Sequence, residues 1–337
     1  MDLSDITVVI LSRGREEILR KTLSYWSAQN VQVIVIHNSG EPLDTRDLSA
    51  NITYKIHRGS YGERCLTVPE LLKTKYSILS ADDELYIPSA LLAMKAMMDD
   101  EKRVASVGGR TIAIGRYGSL LTATNPYQNM NGYSNRSSTP YSRICNHYNK
   151  EYGNRIGGIY RLIKTENMKK LMMVFGEVAE MSTPYIFEVT GEIVVNSMGD
   201  CLYLSNIYWI RNWINEAVQH GNWNRKLQFT SWVAEDNYAH EVTNWKSILA
   251  RELKLAKSDI EKITQSIVEV RESSEESAIP DMNRLKRLVP AHLKVELRKV
   301  FSPSTLPTSL YKTLENMNKV GATYELCEIE DAIKFIS

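Results

Sequence analysis

Residues 76–86 read Tyr-Ser-Ile-Leu-Ser-Ala-Asp-Asp-Glu-Leu-Tyr. A short apolar run of β type stops abruptly at Asp82, Asp83 and Glu84. Three adjacent carboxylates at the end of a buried strand repel one another and resist desolvation. Two arrangements relieve them. A hard divalent cation is one, and Mg²⁺ prefers to share a few carboxylates with the phosphates of a substrate. The other is a place beside the N-terminus of a helix, here the one expected near 88–98, because carboxylates suit that end of the dipole. The first reading points to an enzyme acting on a phosphorylated substrate, the second to an acidic helix start.

Working outward, Ile6-Thr-Val-Val-Ile-Leu has the unbroken apolar character of a strand buried on both faces. The turn Ser12-Arg-Gly-Arg follows it. Ile18, Leu19, Leu23 and Trp26 have helical spacing within 16–28. Val31-Gln-Val-Ile-Val-Ile is a second buried strand, closed by His37-Asn-Ser-Gly, and Ile52 to Ile56 is a third. A short helix is expected near 69–74, a strand over 76–80, a helix over 88–98 opened by Pro88, and a short strand over Val104 to Val107. Strands alternating with helices in this way build a parallel sheet with crossover connections. Ligands of such sheets bind at the carboxyl ends of the strands. The turns at 12–15, 37–40 and 81–84 all fall at such ends, so they should converge on one cleft.

The rest of the chain is less regular. Residues 115–158 are rich in Gly, Asn, Ser and Tyr and read as a long loop region. A helix is expected over 184–198, an extended segment over Leu202 to Trp209, and a long charged helix over 246–271. Ser273-Ser-Glu-Glu-Ser reads as a linker, and 282–300 as a helix broken by Pro290. The chain has 337 residues, 41 Lys and Arg against 40 Asp and Glu, and a net charge of +1. That balance provides no global field to recruit nucleic acid. Four cysteines lie far apart without CxxC spacing, which argues against a zinc site or a disulfide framework and fits a reducing compartment. The start, Met1-Asp-Leu-Ser-Asp, lacks the pattern of a signal peptide, and no apolar run approaches the roughly 20 residues of a membrane span. A cytoplasmic location is expected.

Val9-Ile-Leu-Ser-Arg-Gly-Arg resembles the opening of family 2 glycosyltransferases, where a strand ends in a Pro-Thr-Tyr-Asn-Arg type of turn. Leu11, Ser12, Arg13, Gly14 and Arg15 occupy those five places. Val33-Ile-Val-Ile-His-Asn-Ser-Gly is similar to the family's second strand and its Asp-Asp-Gly-Ser turn, and Ser80-Ala-Asp-Asp-Glu to its Asp-x-Asp region. The resemblance covers residues 1–110 and, more loosely, 180–212. It implies a GT-A fold, an α/β architecture with a mostly parallel, Rossmann-like sheet, over 1–240, followed by a mainly helical region over 241–337. It also implies a nucleoside-diphosphate sugar as donor, a UDP-sugar by family default. This chain departs from the pattern with Leu11 for Pro, Arg13 for Tyr, and His37-Asn38 for two aspartates. An Arg guanidinium can still stack on a base.

The implied site follows residue by residue. Ser12, Arg13, Arg15, Asn38, Arg64 and Asp82 would bind the nucleotide sugar. Asp83 and Glu84 would hold Mn²⁺ or Mg²⁺. The family's proton-accepting carboxylate lies about a hundred residues beyond the acidic cluster, at the start of a helix. Glu188 has that place, and Glu192, one helical turn on, is the reserve. Arg155 and Arg161 flank Gly157-Gly158 and are candidates for acceptor or diphosphate contacts. The expected reaction is transfer to an acceptor hydroxyl on a glycan or a lipid-linked carrier, inverting, as in surface polysaccharide synthesis. A sugar nucleotidyltransferase and a catalytically inactive carbohydrate- or partner-binding module on the same fold are the alternatives. Residues 284–299 carry six Lys and Arg against Glu296 alone, with apolar residues between. Such a segment suits peripheral contact with an anionic membrane, or a helix packed on the catalytic domain with its basic face in water.

Overall fold

A computed structural model of the chain describes residues 2–40, 43–46, 48–117, 119–148, 158–214, 232–277 and 308–336. The basic segment 284–299 and Arg155 lie outside the described residues.

The centre is a parallel group of strands. β1 (Leu3–Arg13) pairs with β2 (Val31–Asn38) on one side and with β4 (Tyr76–Ser80) on the other, and β3 (Ile52–Ile56) extends the group beyond β2. The short β5 (Leu85–Tyr86) follows the acidic turn. Beyond β4 come β8 (Leu162–Lys164), antiparallel to both its neighbours, and β6 (Val104–Tyr117). β6 pairs in parallel with β9 (Asp200–Asn212) and antiparallel with β7 (Leu120–Thr124), which carries the edge strand β10 (Thr308–Ser309).

Alternation along the strands divides the interior in two. Ile6, Val8 and Ile10 of β1 and Val31, Val33 and Val35 of β2 face one core. Val9, Ile34 and Ile36 face the other. The first core is covered by α1 (Glu16–Ser27) and α3 (Pro88–Asp100) through Leu19, Trp26, Leu91 and Met94, and by the two last helices of the chain. The second is covered by α2 (Tyr61–Leu71), α5 (Thr165–Val178) and α6 (Pro184–Met198), and by α7 (Tyr238–Leu253) and α8 (Lys257–Ser277). α9 (Leu310–Lys319) and α10 (Leu326–Ile336) place Leu314, Ile329 and Ile333 with the α1 and α3 side chains. Residues on both sides of position 240 therefore contribute to each core. Apolar burial on two faces is what makes the central strands uniformly hydrophobic in sequence. No helix among the described residues is long and apolar enough to cross a membrane.

Several elements differ from the expected bounds. The helix placed near 69–74 starts at Tyr61, because Ser60 and Glu63 form a reciprocal capping box. The strand begun at Val104 runs on to Tyr117, held by β7 and β9 rather than by its own pattern. The stretch 115–158 includes β7 and α4 (Pro140–His147), the latter capped by Thr139. The long helix expected over 246–271 is two helices, broken where Lys254 adopts a left-handed backbone at φ 53°. Ser273 to Ser277 belong to α8 instead of a linker. α5 was not expected. Its Met168, Leu171, Met172 and Phe175 carry the one-sided helical spacing that calls for it.

α6 occupies the residues expected of it, 184–198. Thr183 caps it by accepting from the Tyr185 amide, Pro184 sits in its first turn, and Gly199 ends it. The chain reverses at Gly199 so tightly that a Cβ there would overlap the Arg103 carbonyl oxygen. Gly199→Ala should destabilise the fold by roughly 1–3 kcal/mol, the usual cost of overpacking. Urea unfolding of the purified variant measures it, and a substitution at the open Gly40 should leave the midpoint unchanged.

Candidate active site

The three turns singled out by their positions lie side by side. Arg13 is directly opposite Asn38 in the β1–β2 pairing, and Ile10 of β1 is opposite Ser80 of β4. Gly14 turns the chain out of β1 with φ +57°, and its amide bonds to the Asn38 carbonyl at 3.1 Å. This turn is short, so α1 begins at once and Arg15 points back over the strand ends.

Asp82 is the buried anchor of this corner, 6% exposed. The Ser12 hydroxyl donates to its Oδ2 at 2.6 Å, and the Thr22 hydroxyl donates to its carbonyl at 2.7 Å. Arg15 spans both aspartates, with Nη2 3.2 Å from Asp82 Oδ1 and paired closely with Asp83 Oδ2. The remaining oxygen of Asp83, Oδ1, makes no hydrogen bond among the described residues. It is the carboxylate oxygen of this turn best placed to accept a cation. The described residues contain no cage of three or more His, Cys, Asp or Glu side chains. A cation here would depend on Asp83 together with oxygens brought by a ligand, which is how Mg²⁺ is commonly held.

Glu84 is placed differently from its neighbours. It is buried, accepts from Trp209 Nε1 at 2.9 Å and pairs with Arg211 Nε at 2.7 Å. Burial pushes its carboxyl up to about 6, with the Arg211 charge opposing. The peptide between Asp83 and Glu84 thus sends one side chain towards the cleft and the other into β9. The expectation of Glu84 as a metal ligand does not fit this geometry, because both its oxygens brace the far wall.

That wall is aromatic. Trp209 is stacked between Tyr127, with ring centroids 5.6 Å apart, and Tyr160, at 4.6 Å. The Arg211 guanidinium lies 5.1 Å from the Trp209 ring centroid and 5.6 Å from that of Tyr127, whose hydroxyl it also contacts. Trp209 and Arg211 share one face of β9 because they are two residues apart. Neither has a role in the sequence reading above, and this alternation was the available signal.

The two carboxylates of α6 separate clearly. Glu188 is half-buried, and with Glu84 it adds to burial in raising the hydroxyl pKa values of Tyr160 and Tyr127. Glu192, one turn later, is fully buried. Its Oε2 is 3.3 Å from His147 Nε2, and its charge supports the protonated state of the buried Arg161, whose pKa burial alone would lower. Arg161 Nη1 and Nη2 have no hydrogen-bond partner among the described residues, so Glu192 is the main compensation for that cation. Neither Glu192 nor Arg161 is open to a substrate in this arrangement.

Arg64 is likewise committed to the fold. It is 3% exposed, and Nη1 donates to the Ser12 carbonyl at 2.7 Å. It shapes the turn after β1 from behind and is enclosed instead of facing solvent. Asn38 Nδ2 donates to the Gly59 carbonyl at 2.8 Å, which leaves its amide oxygen at the strand end, while Arg13 is exposed.

No protein-family model matches the chain, and no curated protein does. Solved structures do. S. aureus TarS residues 1–349 in complex with UDP-GlcNAc superimposes with a TM-score of 0.52 at 11% identity, covering 81% of this chain and 73% of that one. A second structure of TarS 1–349 matches at 10% identity with a TM-score of 0.49, covering 81% and 72%. The fold is GT-A. At this identity the likeness concerns the architecture, and the roles of individual residues rest on the geometry above.

Glu192→Ala should cost at least about 1 kcal/mol, because it leaves the buried Arg161 cation without its main opposing charge. Denaturant unfolding reads this directly. A loss below about 1 kcal/mol would contradict the structural role given to Glu192 here.

Proposed function

We propose that the protein is a glycosyltransferase that moves a sugar from a nucleoside-diphosphate donor to an acceptor hydroxyl with inversion. One observation carries the reading. The turns after β1, β2 and β4 meet at the carboxyl ends of those strands, where Arg13 lies opposite Asn38 and Ser12 and Arg15 hold Asp82. Open α/β sheets bind ligands at that edge. The UDP-GlcNAc bound to the TarS structure favours a UDP-sugar as donor.

In this reading Arg13 and Asn38 address the nucleoside, and Ser12 and Asp82 fix the turn beneath it. Asp83 would hold Mn²⁺ or Mg²⁺ through its Oδ1, and Arg15, next to it, would be placed to meet the diphosphate. The divalent ion, when bound, stabilises the negative charge that develops on the departing diphosphate. Glu188 accepts the proton of the acceptor hydroxyl as its oxygen bonds to the anomeric carbon. The bond from that carbon to the diphosphate breaks, and the nucleoside diphosphate leaves with the electron pair. Tyr127 and Tyr160, each half-buried, offer ring faces to a sugar and keep water from the reacting carbon. A glycan or lipid-linked acceptor matches such a wall.

A second reading is favoured by the ion pairs of Arg15. Both aspartates are already paired with one guanidinium, as in a fold that has kept its scaffold and binds a carbohydrate or a protein partner without transfer. Metal and nucleotide binding separates the two. With transfer, UDP-GlcNAc should raise the melting temperature of the wild type in the presence of Mn²⁺, because a ligand bound only by the folded form stabilises it. Asp83→Ala should abolish the Mn²⁺-dependent part of that shift. The absence of any shift from millimolar UDP with Mn²⁺ would favour the binding module.

Glu188→Gln keeps the shape and loses the base. Donor-induced stabilisation should persist, while turnover, measured as release of nucleoside diphosphate, should fall by about 10²–10⁴. Unchanged turnover would remove Glu188 from the mechanism.

A further inference from the structure

A cavity bordered by the described residues lies away from the acidic turn. It has a volume of about 390 Å³ and opens at the opposite end of the sheet. It lies where β6 and β9 begin and β8 ends. Lys164 on its rim is paired with Tyr76 at the start of β4, whereas the Asp82–Asp83 turn follows the end of that strand. Four strand residues alone separate the two sites by about 13 Å.

Its lining is cationic. Lys102, Arg103, Arg143 and Lys164 face it, against the single carboxylate of Asp200. That carboxylate is already matched by Arg103 Nη2 at 3.1 Å and by Arg136 at 3.8 Å. The protein as a whole has a net charge of only +1, so this is a local concentration of charge. The cations are also held in place. Arg143 is 5% exposed and donates to the carbonyls of Ser137, Asn196 and Ser197 at 2.7–3.0 Å. Lys164 Nζ is fixed on the Lys102 carbonyl at 2.6 Å. Three further donors face the cavity without a side-chain partner among the described residues: the Lys102 ammonium, the Ser138 hydroxyl and the Asn167 amide. Anchored cations together with unused neutral donors match the needs of an anion with several acceptor oxygens. A carbohydrate would be served by aromatic faces and mixed donors and acceptors, and no aromatic residue lines the cavity.

We propose that this cavity is a second binding site, remote from the cleft, for a phosphoryl group. Such a group can arrive as a free phosphate or as the phosphodiester of a larger molecule. The site is independent of the sugar-transfer reading and stands or falls by itself.

Isothermal titration of the full chain at low ionic strength tests it, with inorganic phosphate and dimethyl phosphate as probes. Wild type should bind phosphate. The double variant Lys102→Glu, Asn167→Asp should bind it at least about tenfold more weakly, since two attractive groups become repulsive. Both positions are outside the cores, and an unchanged melting temperature verifies that the variant is folded. Binding of phosphate alone would mark a site for the free dianion, and binding of both probes a site for an esterified group. Binding of neither, or equal phosphate affinity in wild type and a folded double variant, overturns the proposal. UDP-GlcNAc binding, measured in parallel, should be the same in both proteins, so failure of the transfer reading would leave the phosphate result intact.

Discussion

A carboxylate buried at the end of a strand is the constraint around which this structure is arranged. Asp82 cannot be desolvated without partners, and it finds them on the strand next door. Ser12 lies on β1 two residues past its last partner in β4, and Arg15 follows just after the strand. The same carboxylate thereby ties β4 to the start of α1, and Thr22 on that helix closes the loop by donating to the Asp82 carbonyl. Arg64 binds the Ser12 carbonyl from behind and brings α2 into the arrangement. The strand ends at this edge are thus held together by side chains.

A second constraint acts one residue later. Glu84 points away from the cleft, into a buried pair with Arg211 and Trp209. The pair costs desolvation, and such pairs are commonly weak contributors to stability. Its structural consequence is register. It fixes β9 against β5, places the Trp209 ring between Tyr127 and Tyr160, and so forms a wall opposite the two aspartates. The acidic triplet is therefore divided by the fold, with two members serving the cleft and one its far side.

Helix α6 divides its acids in the same manner. Glu188 and Glu192 lie on the same side of the helix in sequence terms, yet Glu188 is half-buried and Glu192 is enclosed with His147 and Arg161. A helix turn is about 5.4 Å, which is enough here to pass from a half-buried position to the interior of a core. The buried member fixes the helix, and the fixed helix holds the other.

The parallel strand group, the helices over 16–27, 88–100 and 184–198 and the meeting of the three turns were all legible in the sequence. The reason is physical: strands buried on both faces must be apolar throughout, and a parallel sheet puts its turns at one edge. The capping box at Ser60 and the one-sided pattern of α5 were equally present and went unread. Other features depended on neighbours distant in the chain. The length of β6 is decided by β7 and β9, and nothing near Val107 announces it. Arg64 and Glu192 have the residue types of a site, and only their enclosure by other elements assigns them to the fold. Sequence alone determined which charges this protein must place at the strand ends, because chain-local spacing decides that. Tertiary structure decided which of them face a ligand, because burial belongs to the assembled layers and not to the residue.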